Sequence, residues 1–219
     1  MVGMQVDGKT KHRLSAAGRK VFAEHGLKNA TVREICTLAD ANVASVSYHF
    51  GSKERLYIHV LEEYLRQSEE RYPIDAGVTP QSPPEDRLRA YVRAFLLQIL
   101  GDGDPDNERL GKLLLQEIIE PSPFFQEIFE KHCMTSHNKL IDIVRDLLPG
   151  VDELTVARCA SSISGQCLLF DFAKEAMSLM SPDLTLKSSN MDSILETIME
   201  FSLGGIERLR ARHLSANKA

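Results

Sequence analysis

Residues Ala39–Tyr57 read ADANVASVSYHFGSKERLY. In a chain that is 26% charged, the run Val43-Ala44-Ser45-Val46-Ser47 carries no long side chain, and Tyr48, His49, Phe50 and a Gly-Ser-Lys follow it. A solvated helix ordinarily carries charge on its outer face. A bare one followed by hydrogen-bond donors asks for a partner that approaches closely. On both sides of this stretch the spacing of apolar residues is helical. Upstream, a first helix runs over 11–25 with Leu14, Ala17, Val21 and Phe22 on one face, and stops at Gly26. Thr31 starts a second, with Glu34 three residues on as a capping box and Ile35 and Leu38 on its buried side. Asn42 caps a third, 43–50, and Ser52 caps a fourth, which carries Leu56, Val60, Leu61 and Tyr64 and ends before Pro73.

Two short helices joined by a tight turn and braced by another make a helix-turn-helix, whose second helix lies in a DNA major groove. That arrangement accounts for the bare helix. Val43, Ala44, Ser45 and Ser47 let the backbone come close. The methyls of Val43 and Ala44 suit thymine methyls, and the two Ser hydroxyls serve most bases. Tyr48, His49 and Lys53 are placed to hold phosphates, which fix register, and the N-terminus of the fourth helix adds backbone N–H groups. Arg33 is the long donor that can reach a guanine. The same small residues also suit a helix packed against another helix, with Tyr-His-Phe in the core; spacing alone leaves both readings open.

The charge distribution bears on that choice. The 219 residues carry a net charge of −5, yet residues 1–60 hold nine Lys/Arg against five Asp/Glu, so that segment is +4 and the remainder −9. A basic head on an acidic body fits a polyanion-binding module joined to something else. With 43% hydrophobic residues, no apolar run near the ~20 needed to span a bilayer and no leader-like hydrophobic segment at the start, the sequence predicts a soluble cytoplasmic protein with no membrane partner. Cys36, Cys133, Cys159 and Cys167 form no CxxC pair and read as reduced, mostly buried thiols.

The Pro-rich PIDAGVTPQSPP, residues 73–84, marks a break. It predicts a head at 1–57, a connecting helix at 52–72 and a body at 73–219. The body holds amphipathic helices over about 85–101, 107–120, 123–148, 152–181 and 190–213. The fold expected is all-α, with about nine helices.

Taken together, VFAEHG (21–26), ATVREIC (30–36) and ANVASVSYHFGSKERLY (41–57) resemble the TetR family of one-component transcriptional regulators. LLLQEIIEPSPFF (113–125), SSISGQCLLFDFA (161–173) and FSLGGIERLRAR (201–212) resemble the C-terminal domain of its CecR-type branch. The resemblance implies a sequence-specific DNA-binding regulator, a repressor in the family's usual mode, that binds a palindromic operator as a homodimer and is released by a small molecule. It implies DNA contacts at Arg33, Val43, Ala44, Ser45, Ser47, Tyr48, His49 and Lys53, with Thr31 a further phosphate contact. Asp40 stands in the turn where the family usually has Gly, and Ser47 where many relatives carry Tyr or Asn.

The resemblance also assigns dimerisation to the last two long helices, where Ser161 and Gly165 lie one turn apart and Gly204-Gly205 interrupts a helical pattern. A mid-helix Gly costs up to ~1 kcal/mol relative to Ala, which a close helix contact offsets; the contact can be with a second copy or with a neighbour in the same chain. The middle helices should enclose an effector, largely apolar, among Phe95, Leu114, Glu117, Phe124, Phe129, Met134, His137, Gln166 and Phe170. No cofactor is expected.

Other chemistries have thinner support. In HCMTSH, which holds His132, Cys133 and His137, the pair Cys133 and His137, four apart, supplies two metal-type ligands on one helix face, with no third or fourth at tight spacing. Ser136–Lys139 fits S-x-x-K without the companion motifs of enzymes that use it, so no catalysis is expected. A helical adaptor, whose basic head holds another polyanion or a protein without reading DNA, is the alternative to a regulator.

Overall fold

The structure, a computed structural model, describes residues 2–101 and 103–216, with side chains described over 8–101 and 103–215. Among these residues the regular elements are all helical: α1 Val2–Asn29, α2 Val32–Leu38, α3 Ala44–Phe50, α4 Lys53–Arg71, α5 Pro84–Leu100, α6 Pro105–Ile119, α7 Phe125–Ile128, α8 Met134–Leu147, α9 Glu153–Phe172, α10 Lys174–Met180 and α11 Met191–Ala216. A π-turn, Phe129–Cys133, joins α7 to α8, and a short 3₁₀ turn, Pro182–Leu184, follows α10. No helix among the described residues is long and apolar enough to cross a membrane.

Three elements depart furthest from the sequence expectation. α1 begins at Val2, well before Lys11, although its break at Gly26 (φ 67°, ψ 178°) falls where predicted. The expected helix over 123–148 is interrupted by the π-turn, and the one over 152–181 breaks at Ala173. These two interruptions turn nine expected helices into eleven. Burial explains the second: Val156, Ala160, Ile163 and Cys167 hold α9 to its neighbours, whereas α10 buries no residue.

The chain divides into two compact units, one formed by Met1–Gln67 with Gly101–His132 and the other by Ser68–Leu100 with Cys133–Ala219. A single cut in the Pro-rich segment does not describe this division, because α6 joins the head. Its Leu110 is fully buried beside Leu14, Phe22, Ile35 and Leu61. Arg19 on α1 reaches the α6 N-cap Asp104 at 3.3 Å, and a Cβ on Gly111 would meet the Tyr64 hydroxyl of α4 at 3.0 Å, so a larger residue there would push the end of that side chain aside. In the second unit Leu88, Val92 and Leu96 of α5 pack with Leu140, Val144 and Leu147 of α8, with Val156, Ala160 and Ile163 of α9, and with Leu195 and Ile198 of α11.

A polar knot lies inside the first unit. Tyr57 of α4 packs edge-on to Phe22 with ring centroids 5.2 Å apart, and its hydroxyl donates to Glu117 of α6 at 3.3 Å. The Glu117 carboxylate, in a residue only 7% exposed, also accepts from the Ser122 N–H at 3.0 Å. Burial, and then the carboxylate beside it, push the Tyr57 phenol well above its ordinary range. A raised folded pKa stabilises the fold fully below the unfolded value of about 10 and ceases to do so as pH rises beyond it. Tyr91, also raised by burial, acts the same way. Thermal midpoints measured from neutral pH to above pH ~10 should therefore fall steeply. Tyr57→Phe should flatten part of that fall; an unchanged alkaline slope would contradict the assignment.

Candidate nucleic-acid interface

The helix-turn-helix is built from local rules that can be followed bond by bond. The Thr31 hydroxyl accepts from the Glu34 N–H at 3.2 Å and caps α2. The other half of the expected capping box is replaced: Glu34 turns its carboxylate to His25 Nε2 at 2.9 Å, tying α2 to the last turn of α1 before its break. α2 ends in a Schellman turn, in which the Asp40 N–H donates to the Thr37 carbonyl at 3.3 Å and the Ala41 N–H to the Cys36 carbonyl at 2.9 Å. Asp40 sits at the left-handed position with φ 47°, the single non-Gly residue of positive φ among those described. The Cys36 thiol, buried and raised in pKa by that burial, lies 3.4 Å from the Asn42 carbonyl across the turn.

Asp tolerates the left-handed conformation less well than Gly. Its ion pair with Arg13 is long, 3.5 Å, and solvated, and contributes little. Asp40→Gly should therefore raise stability by up to ~1 kcal/mol in denaturant titration without moving α3. A loss of stability would mean that the Asp40 carboxylate matters more than the backbone.

α3 starts one residue later than expected, at Ala44. The Asn42 side chain accepts from the Ala44 N–H at 2.9 Å and its carbonyl from the Ser45 N–H at 2.9 Å. One side of α3 faces inward through Val46, 1% exposed and the helix's one buried residue, with Phe50 packed against the same core. The other side presents Val43, Ala44, Ser47 and Tyr48, all exposed; Tyr48 is 75% so. Ser45 and His49 lie at the margin, half-buried. Gly51 at φ 85° turns the chain, and Ser52 accepts from the Arg55 N–H at 3.2 Å to begin α4. The packing alternative for the small residues is thus answered by geometry within the chain, since Val43, Ala44 and Ser47 touch solvent rather than core.

Thr31 and Arg33, both exposed, line a groove of about 650 Å³ with Lys20 of α1 and Thr37 of α2. Lys20 and Thr37 were not indicated by the sequence, because neither spacing nor composition marks them. Lys53, expected at a phosphate, also has partners inside the chain. Its Nζ donates to the Leu27 carbonyl at 2.8 Å and the Ala30 carbonyl at 2.9 Å.

The structure does not gather the residues suggested for an effector into one unit. Leu114, Glu117, Phe124 and Phe129 belong to the first, and Phe95, Met134, His137, Gln166 and Phe170 to the second. Two of the three polar ones have partners within the chain: Glu117 as above, and Gln166, whose amide donates to the Ser202 hydroxyl at 3.1 Å. The residues suggested for a dimer contact, Ser161, Gly165, Gly204 and Gly205, are all exposed on α9 and α11. A Cβ on any of the three glycines would meet nothing within 4 Å, so no neighbour in the same chain requires them.

All four cysteines are free, and burial raises the Cys133 thiol to about 11, which keeps it protonated. Among the described residues no three His, Cys, Asp or Glu side chains come together as a metal site. The pair within the S-x-x-K match is engaged elsewhere: Ser136 lies 3.5 Å from the Tyr91 hydroxyl, and Lys139 pairs with Asp75 at 3.0 Å.

An outward, bare second helix in a helix-turn-helix, carried on a helical body, defines a DNA-binding transcriptional regulator. Residues 14–60 match the tetR family of bacterial regulatory proteins, and residues 84–206 match the C-terminal domain of the HTH-type transcriptional dual regulator CecR. The chain belongs to the TetR family, with a CecR-type C-terminal domain. It is 25% identical to CecR of Shigella flexneri over 206 residues, covering 89% of this chain and 91% of that one. It is 35% identical over 98 residues, 43% of each chain, to the transcriptional repressor NicS of Pseudomonas putida KT2440. Among solved structures, a transcriptional regulator from Rhodococcus sp. Rha1 superposes with a TM-score of 0.60 at 22% identity, over 90% of this chain and 96% of that one, which speaks to the fold. The relatives are regulators, not enzymes.

Proposed function

We propose that this regulator represses transcription by binding a palindromic operator as a homodimer, and that a small, largely apolar molecule releases it. The observation that carries the reading is the outward face of α3, where Val43, Ala44, Ser47 and Tyr48 stand in solvent while Val46, with Phe50 packed against the same core, anchors the helix. One such helix discriminates little. Two related by a dyad read half-sites about 34–36 Å apart. The dyad is supported by the unpartnered face of α9 and α11, on which exposed Leu169, Phe172 and Phe201 accompany Ser161, Gly165, Gly204 and Gly205. NicS is a transcriptional repressor, and CecR a dual regulator.

Release works through α4, which begins beside the recognition helix at Lys53 and passes from the first unit to the second between Gln67 and Ser68. To invert a 99:1 population the effector must favour the non-binding arrangement by ~5.5 kcal/mol. The site of action is the cytoplasm, where the operator lies. Selection of duplexes from a randomised pool by the purified protein, near physiological salt, tests the reading. Recovery of two related half-sites in palindromic arrangement is the expected result. Recovery without sequence preference would favour the adaptor, whose basic head holds charge alone.

A further inference from the structure

We propose that Lys53 is a positioning residue for DNA reading: its ammonium closes the base of the helix-turn-helix and fixes where α3 stands, instead of gripping phosphate. The proposal rests on the operator-binding reading above. At Gly26 the backbone leaves helical geometry, so α1 ends with carbonyls that need donors. The Ala30 N–H returns to the Gly26 carbonyl at 3.2 Å. The Leu27 and Ala30 carbonyls are met from 26 and 23 residues away by Lys53 Nζ, at 2.8 and 2.9 Å. Two of the three ammonium donors are therefore committed inside the fold, and a cation at a helix C-terminus is favourable in any case.

The position of this tie gives it consequence. Ala30 immediately precedes the Thr31 cap of α2, and Lys53 is the first residue of α4. The tie thus joins the two ends of the segment 31–52 that contains the whole helix-turn-helix. Within that segment α3 is seven residues long and has a single buried side chain, so its direction depends on how its ends are held. One end is fixed by the Schellman turn at Asp40, the other by Gly51 and Ser52, which lead straight into Lys53. Loss of the tie should blur the aim of α3 without removing any contact to DNA. Swinging the ammonium out of this corner would break both bonds.

The full-length protein with Lys53→Met and with Lys53→Arg separates the two roles. Affinity is measured against salt for a duplex recovered by selection and for a random-sequence duplex of equal length. Removal of a phosphate contact makes the slope of log affinity on log salt shallower by about 0.9. The expected result for Lys53→Met is an unchanged slope on both duplexes, a lower thermal midpoint, and about a tenfold fall in the ratio of selected to random affinity, the scale of one mismatched base pair. Lys53→Arg, whose guanidinium can donate to both carbonyls, should recover that ratio. Lys53→Gln, with a single amide donor group, gives the same readouts if Lys53→Met does not fold. A slope shallower by about 0.9 with an unchanged midpoint would overturn the proposal in favour of a phosphate contact. A lower midpoint with slope and ratio unchanged would overturn it in favour of a purely structural tie. Equal wild-type affinity for the two duplexes is seen before any variant is made; it would overturn the operator reading and the proposal together.

Discussion

Phe201→Glu is expected to convert the protein from dimer to monomer in sedimentation equilibrium and to lower operator affinity by about 10²–10⁴-fold, the scale lost when two linked sites act singly. Phe201 is 76% exposed on α11, one turn before Gly204-Gly205, glycines whose missing side chains leave open space. A large aromatic ring standing mostly in water beside such a hollow gains little from its own chain. Across a dyad it would meet a second copy of the same surface, where Leu169 and Phe172 of α9 are also bare. Because the ring makes so little contact at home, the substitution should leave helical content and the neutral-pH midpoint of the separated chain within the range of ordinary surface changes, about ±0.5 kcal/mol. A variant that stays dimeric would place the dyad on another surface.

Val46→Asp has the opposite logic. It changes nothing on the surface and should abolish operator binding. Val46 is the one fully buried side chain of α3, in the core that holds Leu14, Ile35, Cys36 and Ala39, and only the partly buried Phe50 assists it. A carboxylate there has no buried partner to meet it and costs at least ~3 kcal/mol. The cheaper outcome for the chain is to detach α3. Hydrogen exchange should then show α3 amides unprotected while α5, α8, α9 and α11, in the other unit, keep their protection. Protection lost throughout the chain would mean that the two units fold as one.

The helix-turn-helix was legible because its devices are local. Thr31 and Ser52 cap the helices that follow them; Gly26 and Gly51 turn the chain; Asp40 takes the left-handed place of a Gly. Each can be read within three or four residues. What escaped the sequence is carried by distance. The partners that Lys53 meets in the fold, the Leu27 and Ala30 carbonyls, belong to a corner that no pattern marks. α6 joined the first unit through Leu110, Gly111 and the Glu117–Tyr57 bond, which composition around the Pro-rich segment cannot announce. The π-turn at Phe129–Cys133 leaves hydrophobic spacing almost unchanged, so a continuous helix was the natural expectation there. Glu117 and Gln166 stood out as polar residues in apolar helices, and the structure gives both of them partners within the chain.

Sequence-specific binding by this chain requires that the exposed face of α3 touch base edges. Duplex selection run in parallel with the wild-type protein and Ser47→Asn tests this most directly, since Ser47 is exposed beside Tyr48 and its replacement alters no buried contact. Asn pairs with adenine through two hydrogen bonds, so the recovered half-site should change at one or two adjacent base pairs and nowhere else. The same half-site recovered with both proteins would show that α3 does not read the bases.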